Sequence, residues 1–125
     1  MSHLIRLSQA RTIETPAAVM RSFVTPSGHS SATHAVWRTE VPSNASGPVH
    51  TIDTLHVVVV VSGELEAVVD GEAHHVGPGD CLVLPAGSLR RLTGGPDGAV
   101  TITSAAPGSN ATVGDGTPVR VPWAN

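Results

Sequence analysis

The sequence predicts an all-β domain, either a sandwich or a barrel of short strands. Its clearest segment is a run of five valines at 57–61, which is β-branched and too short for an ordinary helix. Asp70-Gly71 separates two apolar segments, as the turn of a tight β-hairpin does. Turn-forming residues recur every eight to twelve residues, and no long segment has a helical period.

The first half of the chain predicts three strand-forming segments. Residues 1–25 are expected to form one or two edge strands, an N-terminal arm, with Pro16 at an edge or a turn because it cannot donate a ladder hydrogen bond. Residues 33–41 alternate in polarity as a strand does. A loop rich in Pro and Ser at 42–48 then leads to a strand-rich segment at 50–61.

The second half predicts short strands separated by turns, in the chain order 65–69, 73–76, 81–84, 89–92 and 99–104. Residues 94–98 contain three glycines and a proline and are predicted to form a loop. Residues 105–125 form an irregular tail. The chain has no internal repeat, so residues 1–125 are predicted to be one domain, large enough to bury roughly two thirds of its unfolded surface.

The valine run also predicts a partner. Successive side chains of a strand point to opposite faces, so this strand is apolar on both faces and must be covered on both sides. One small barrel covers only the inner face of its strands. The outer face is therefore expected to pack against another subunit, and a homodimer is the simplest arrangement.

Composition excludes several classes of function. The chain has no lysine and no tyrosine, so neither a lysine Schiff base nor a tyrosine acid is available. With a net charge of -3, no basic stripe and three aromatic side chains, it is not expected to bind nucleic acid. No segment has the length of a membrane span, no secretory leader is visible, and the single cysteine suits a reducing compartment. The expected location is the cytoplasm.

One motif surrounds the start of the valine run. It can be aligned in part with the pattern Gly, five residues, His-x-His, three or four residues, Glu, six residues, Gly, if Gly63 is taken as the final glycine. His50 and Ile52 then occupy the two histidine positions, and His56 occupies the glutamate position. The initial glycine is poorly spaced, because Gly47 lies only three residues before His50.

A second motif follows about twenty residues later, with the pattern Gly, five residues, Pro-x-Gly, two residues, His, three residues, Asn. Gly79, Pro85 and Gly87 match it in spacing, whereas Arg90 takes the histidine position and Gly94 the asparagine position. Together the two segments resemble the paired signature motifs of the cupin family. The resemblance covers residues 36–104 and implies a cupin-type double-stranded β-helix, a jelly-roll barrel, with a ligand cavity inside it.

The resemblance also implies a metal site, which this chain keeps only in part. Most cupins hold a divalent metal through three histidines and a carboxylate, and His50 and His56 are the two donors left at those positions. A third ligand for iron, manganese, nickel or zinc could come from His34, from Asp53 or from water. Ile52 donates nothing, and the permanent charge of Arg90 repels a cation.

Without a metal, the same positions suggest proton transfer. Arg90 can hold a carboxylate or an enolate by paired hydrogen bonds, and a neutral His50 or His56 beside it can act as a base. Trp37, His34 and Ile52 are expected to contact the substrate. This hypothesis is a metal-independent isomerase, cyclase or lyase acting on a small anionic or carbonyl compound. The alternatives are a metal-dependent oxygenase or lyase with a rearranged site, and a binding protein without catalysis.

Overall fold

The computed structural model describes residues 2–29 and 32–125, and nearly all regular structure in these ranges is β-strand. The strands are β1 (Arg11–Glu14), β2 (Val19–Val24), β3 (Ala35–Val41), β4 (Thr51–Ile52), β5 (His56–Val69), β6 (Glu72–Val76), β7 (Cys81–Leu84), β8 (Arg90–Ala105), β9 (Asn110–Thr112) and β10 (Val119–Arg120). Short 3-10 turns lie at Leu7–Gln9 and Pro122–Ala124. The described ranges contain no apolar helix of the length that a membrane crossing requires.

Two antiparallel sheets build the domain. The larger one has the strand order β1-β2-β3-β8-β5-β6, with β7 pairing the first half of β5. The smaller one has the order β10-β9-β4. This arrangement is the all-β jelly roll that the sequence predicts, and β1 and β2 lie at one edge of the large sheet, with Pro16 in the turn between them.

The predicted hairpin at Asp70-Gly71 joins β5 to β6. Both residues have positive φ, 48° and 83°, which is the backbone of a type I′ turn and explains the Asp-Gly pair. The Oδ1 of Asp70 also accepts a hydrogen bond of 2.8 Å from the backbone N–H of Leu89. The hairpin therefore fixes the residues that lead into β8 and Arg90.

The prediction of a loop at 94–98 is wrong, because these residues belong to β8. β8 shifts register against β5 where β5 passes Ser62 and Gly63, which indicates bulges. A side chain at Gly94 would lie 2.6 Å from the backbone oxygen of Pro42, and one at Gly98 would lie 2.5 Å from that of Val41. The glycines thus permit two chain segments to cross closely. In the sequence, such a glycine-rich strand segment looks like a loop.

Two clusters of buried side chains lie on the inner surface of the large sheet. One is wholly aliphatic and is centred on Val58, Val60 and Leu65. The other surrounds Trp37 and Met20 and includes residues of the C-terminal tail. Between them the barrel remains hollow.

Candidate active site

A cavity of about 510 Å³ opens inside the barrel, and side chains of both sheets line it. Its walls are mostly aliphatic, with contributions from the turn after β1 and from the C-terminal tail. The polar side chains of its inner part include His50, His56 and Arg90. A cavity of this size accommodates a small organic molecule.

Arg90 begins β8 and is 1% exposed. Its Nη2 donates hydrogen bonds of 2.9 Å to the backbone oxygen of Pro85 and of 2.9 Å to the Oγ of Ser88. Its Nη1 has no hydrogen-bond partner within the described ranges. None of the ion pairs found in those ranges involves Arg90. Burial lowers the pKa of its guanidinium, and the negative charge of Asp70 partly offsets this lowering.

A cation that is almost completely buried without a carboxylate partner is unusual in a protein interior. Burial removes the hydration of the guanidinium, and among the described residues only Nη2 and Nε of Arg90 find acceptors. Because Arg90 lines the cavity, its positive charge favours an anionic or oxygen-bearing ligand at this end.

His50 lies directly beside Arg90. The Nδ1 of His50 lies 2.8 Å from the carbonyl oxygen of Pro48, which can only accept, so Nδ1 carries the proton. Burial lowers the pKa of His50, and the charge of Arg90 lowers it further, while the bond to Pro48 acts in the opposite direction. The imidazole is consequently neutral near pH 7, with an unprotonated Nε2.

His56 begins β5 and is 5% exposed. Its ring meets the ring of Trp37 edge-on, with centroids 5.3 Å apart and planes at 75°. Its Nε2 lies 3.3 Å from the Oγ of Ser109, which in turn lies 2.6 Å from the Oγ1 of Thr54. Burial, together with the positive charge of Arg90 and a smaller effect of His50, lowers the pKa of His56 to about 4.

The structure brings five of the six predicted site residues to this one cavity: His50, His56, Arg90, Trp37 and Ile52. The segment between the two histidines is not one continuous strand, because the chain bends between β4 and β5. His50 and His56 nevertheless both reach the cavity.

The placement predicted for His34 is wrong. His34 is exposed in the bend before β3, where its Nδ1 lies 3.3 Å from the Oγ1 of Thr33, and it does not line the cavity. Ala35 and Trp37 are the inward-facing residues of this segment, so His34 has the opposite parity. Asp53, the other suggested third ligand, is exposed and binds the backbone N–H and the side-chain amide of Asn110 at 2.7 and 2.9 Å.

Several residues of the site were not predicted from the sequence. Ser88 contacts Arg90, Ser109 contacts His56 and is itself hydrogen-bonded to Thr54, and Arg120 lies at the rim of the cavity. Ser88 follows the Pro-x-Gly element directly, a position from which its role could be suspected. Ser109, in contrast, lies in the tail and contacts His56 across 53 residues of chain.

The donor set does not fit the four-ligand metal centre of the resemblance. Ile52 and Arg90 occupy two of its four positions, and His34 and Asp53 lie outside the cavity. Within the described ranges, no three His, Cys, Asp or Glu side chains are grouped so that they could hold a metal ion. The permanent charge of Arg90 also opposes a second cation in the same hollow.

A family model for the cupin domain matches residues 37–104, which is more than half of the chain. The chain belongs to the cupin family. The matched range includes Trp37, His50, His56 and Arg90 of this cupin's cavity, while the tail adds Arg120 to the lining and places Ser109 against His56. No curated protein matches the chain in sequence.

Solved structures share the fold of this cupin at low sequence identity. An RmlC-like cupin from Shewanella frigidimarina NCIMB 400 is 20% identical with a TM-score of 0.70, covering 86% of this chain and 92% of that one. The polyketide cyclase RemF from Streptomyces resistomycificus is 22% identical with a TM-score of 0.70, covering 86% and 80%. An oxalate decarboxylase from Bacillus subtilis is 16% identical with a TM-score of 0.72, covering 82% of this chain and 28% of its own.

Proposed function

We propose that this cupin is an enzyme that transfers protons on a small anionic or carbonyl substrate inside the barrel, without a metal ion. The observation that supports this proposal is the pairing of Arg90 and His50. A buried guanidinium that lines the cavity lies next to a neutral imidazole, whose Nε2 has no hydrogen-bond partner among the described residues. An electrophile beside a base is the arrangement that removal of a proton next to a carbonyl group requires.

The charge of the cavity supports an anionic or electron-rich substrate. The described residues that line it include two arginines, Arg90 and Arg120, and no carboxylate, although the whole chain has a net charge of -3. Positive charge is thus concentrated where the ligand enters and binds. Because the remaining walls are aliphatic, the substrate is expected to carry an apolar body in addition to its polar end.

We propose a role for each side chain. The guanidinium of Arg90 donates a hydrogen bond to the substrate oxygen, and Nε2 of His50 removes a proton from the neighbouring carbon. The negative charge then moves onto the oxygen, where the guanidinium stabilises the enolate. Return of the proton to another carbon completes an isomerisation, attack of the carbanion on a second carbonyl closes a ring, and loss of a leaving group completes an elimination.

His56 supplies a second imidazole to the same cavity. With a pKa of about 4 it stays neutral throughout the physiological range. It is therefore suited to form a hydrogen bond with the substrate in its neutral form, as a partner of the base at His50. Trp37 and Ser109 fix the position of its ring.

Cyclisation is the branch that has support from a known protein of this fold. RemF is named as a polyketide cyclase and aligns with most of this chain. A polyketide carries several carbonyl groups on a carbon chain, which agrees with an aliphatic cavity containing one enolate-binding cation.

We also place the reaction in the cytoplasm, where the exposed thiol of Cys81 stays reduced.

Tautomerisation of phenylpyruvate tests the proposal, because this probe has an apolar ring, a carboxylate, a ketone and an acidic CH₂ group. We expect the wild-type protein to accelerate the conversion of enol to ketone, as measured by ultraviolet absorbance, before and after treatment with EDTA. His50→Gln should abolish the acceleration, and His75→Gln, a change at an exposed histidine outside the cavity, should leave it intact.

Each other outcome points to a different function. Acceleration that disappears with EDTA and returns with iron, manganese, nickel or zinc would favour a metal-dependent enzyme. Binding of phenylpyruvate without acceleration, unchanged in His50→Gln, would favour a binding protein. Either result contradicts the proposed function.

A further inference from the structure

Three threonines lie on the inner wall of the large sheet, within an otherwise mostly aliphatic stretch of the cavity. Thr101 and Thr103 of β8 are buried, and Thr39 of β3 is half-buried. All three line the cavity that contains Arg90 and His50. The proposed reaction uses none of their hydroxyl groups.

The strand register makes these threonines neighbours. Thr39 pairs directly with Thr101 across β3 and β8, and Thr103 lies two residues further along β8. On the other side of β8, Thr101 and Thr103 pair with the buried Val60 and Val58, so they face inward as those valines do. Paired residues have Cβ atoms about 5 Å apart, and residues two apart on one strand are about 6.6 Å apart. We name this group of three the threonine patch.

The hydroxyl groups of the threonine patch are open to the cavity. Among the described residues, their Oγ1 atoms have no hydrogen-bond partner, and none of them is enclosed by protein atoms as the Nη1 of Arg90 is. The other buried hydroxyl groups each have a protein partner, and they belong to Ser22, Thr25, Ser88 and Ser109. The threonine patch therefore keeps its hydrogen-bonding capacity for a ligand.

A preference for β-strands does not explain threonine at these positions. Valine is equally β-branched, has nearly the same shape and carries no hydroxyl to desolvate. Valine also occupies the paired inner positions on β5, at Val58 and Val60. Polar groups that no structural contact uses, placed in the wall of a cavity, are typical of a binding site.

The threonine patch begins close to His56. Ala105 pairs with His56 across β8 and β5, and Thr103 lies two residues before Ala105 on the same face. Diagonal neighbours of this kind are about 7–8 Å apart. Thr103 is also the cross-strand partner of Trp37, whose ring meets the ring of His56. The patch thus extends along the cavity wall from the neighbourhood of His56.

We propose that the threonine patch is an oxygen-binding subsite, and that the substrate carries neutral hydroxyl or carbonyl groups on its body in addition to the end that Arg90 holds. A threonine hydroxyl both donates and accepts, so it can pair with either group. The substrate is then a compound with several oxygen atoms rather than a simple fatty acid. As a statement about the substrate this inference rests on the proposed function, whereas the binding of ligands by the patch does not.

Equilibrium binding of 2-naphthoate and of its 6-hydroxy and 7-hydroxy derivatives tests the subsite by fluorescence titration. We expect the wild-type protein to bind at least one hydroxynaphthoate more tightly than 2-naphthoate. In the double variant Thr101→Val/Thr103→Val this preference should fall roughly tenfold or more, because the ligand hydroxyl loses its partners. Binding of 2-naphthoate should be no weaker. Thr12→Val, a change at an exposed threonine outside the cavity, is the control and should keep the preference.

Urea unfolding provides a measurement that needs no ligand. The double variant should unfold at the same or a higher urea concentration, because valine keeps the shape and removes hydroxyl groups that no described protein group uses. Thr93→Val on the same strand is the matched control. It should unfold at a lower urea concentration, since the Oγ1 of Thr93 lies 2.8 Å from the Oγ of Ser46.

Several outcomes would overturn the inference. They are a failure of both hydroxynaphthoates to bind the wild-type protein, an equal weakening of all three naphthoates in the double variant, an unchanged preference, and a loss of stability like that of Thr93→Val. These outcomes are distinct from a failure of the proposed function. An inactive protein whose preference depends on the threonine patch would refute the reaction alone, and an active protein without this preference would refute the subsite alone.

Discussion

His50 and Arg90 exchange both backbone hydrogen bonds, each of 2.9 Å, and form an isolated bridge between the first motif and the start of β8. In such a hydrogen-bonded antiparallel pair the two side chains leave the backbone on the same face. The base and the cation of the proposed site are therefore directly opposite each other. Their relative position depends on backbone pairing rather than on a flexible side-chain contact.

Arg90→Met is expected to separate stability from function. The buried guanidinium has no carboxylate partner among the described residues. Ser88 already donates to the Pro85 oxygen at 2.7 Å and is expected to keep this bond when the arginine is removed. Replacing a poorly compensated buried charge by an apolar side chain of similar volume often stabilises a protein, here by about 1 kcal/mol in the free energy of unfolding. Urea unfolding measures this change.

The same variant should lose its preference for anions. 1-Anilinonaphthalene-8-sulfonate and N-phenyl-1-naphthylamine share one apolar body, and only the first has a sulfonate. We expect Arg90→Met to weaken binding of the sulfonate probe at least tenfold and to leave the neutral probe within about twofold, measured by fluorescence titration. A variant that is both less stable and unchanged in its preference would contradict the role given to Arg90.

His56 is expected to make folding sensitive to acid. Its pKa is about 4 in the folded protein and about 6.5 in an unfolded chain, so the unfolded state binds more protons as the pH falls below 6.5. The stability associated with neutral His56 is fully present above that pH and is lost progressively down to about pH 4. The loss is on the order of 3 kcal/mol.

Urea unfolding at pH 7.0, 5.5 and 4.5 measures this loss of unfolding free energy. The difference between wild type and His56→Gln separates the contribution of His56 from that of the carboxylates, which titrate in both proteins. The slope of stability against pH should be smaller in His56→Gln over this range. His74→Gln serves as the control, because His74 lies on β6 outside the cavity. Equal slopes in wild type and His56→Gln would show that this imidazole is not held in its neutral form.

The sequence predicts the framework of this fold because turns depend on local backbone chemistry. Asp70, Gly71, Gly79 and Gly87 all have positive φ in the structure, and each of them is recognisable as a turn residue in the sequence. The glycines at 94 and 98 were misassigned because a bulged strand that needs close approach uses the same residue as a loop.

The site could be predicted where a side chain occupies a motif position, as His50, His56 and Arg90 do. Ser109 and Arg120 could not be predicted, because Ser109 meets His56 and Arg120 reaches the cavity only when the C-terminal tail folds back over the barrel. No periodicity or local spacing encodes a contact of that range. His34 was misplaced for a simpler reason, since its parity opposes that of Trp37.

Ser109→Ala is expected to release His56 from its fixed orientation. Ser109 is completely buried, and its hydroxyl is the only protein group in the described ranges that hydrogen-bonds the His56 ring. Its removal also leaves the Oγ1 of Thr54 without its partner at 2.6 Å. The free energy of unfolding should fall by about 1–3 kcal/mol.

A purely structural role of Ser109 would also lower the free energy of unfolding, so a second measurement is needed to test its effect on the His56 ring. ¹⁵N chemical shifts of the His56 ring report its tautomer, and we expect a mixture of tautomers in Ser109→Ala and a single one in wild type. Ser109→Thr should restore the hydroxyl and the single tautomer, and Ser104→Ala on the outer side of β8 should change neither. An unaltered tautomer in Ser109→Ala would remove Ser109 from the site.

Arg120→Gln is expected to slow the entry of anions without changing the bottom of the cavity. Arg120 is exposed at the rim, has no ion pair with any described residue, and lines the same cavity as the buried Arg90. An exposed charge contributes little to affinity but increases the rate at which oppositely charged ligands arrive, and salt screens this effect.

Stopped-flow binding of 1-anilinonaphthalene-8-sulfonate should show an association rate reduced by about two- to fivefold at 20 mM salt (where screening is weak) and a nearly unchanged dissociation rate. The difference should vanish at about 0.5 M salt, and Arg6→Gln, which removes an exposed arginine outside the cavity, should have no effect. A slower association that persists at high salt would mean that Arg120 acts through the shape of the entrance rather than through its charge.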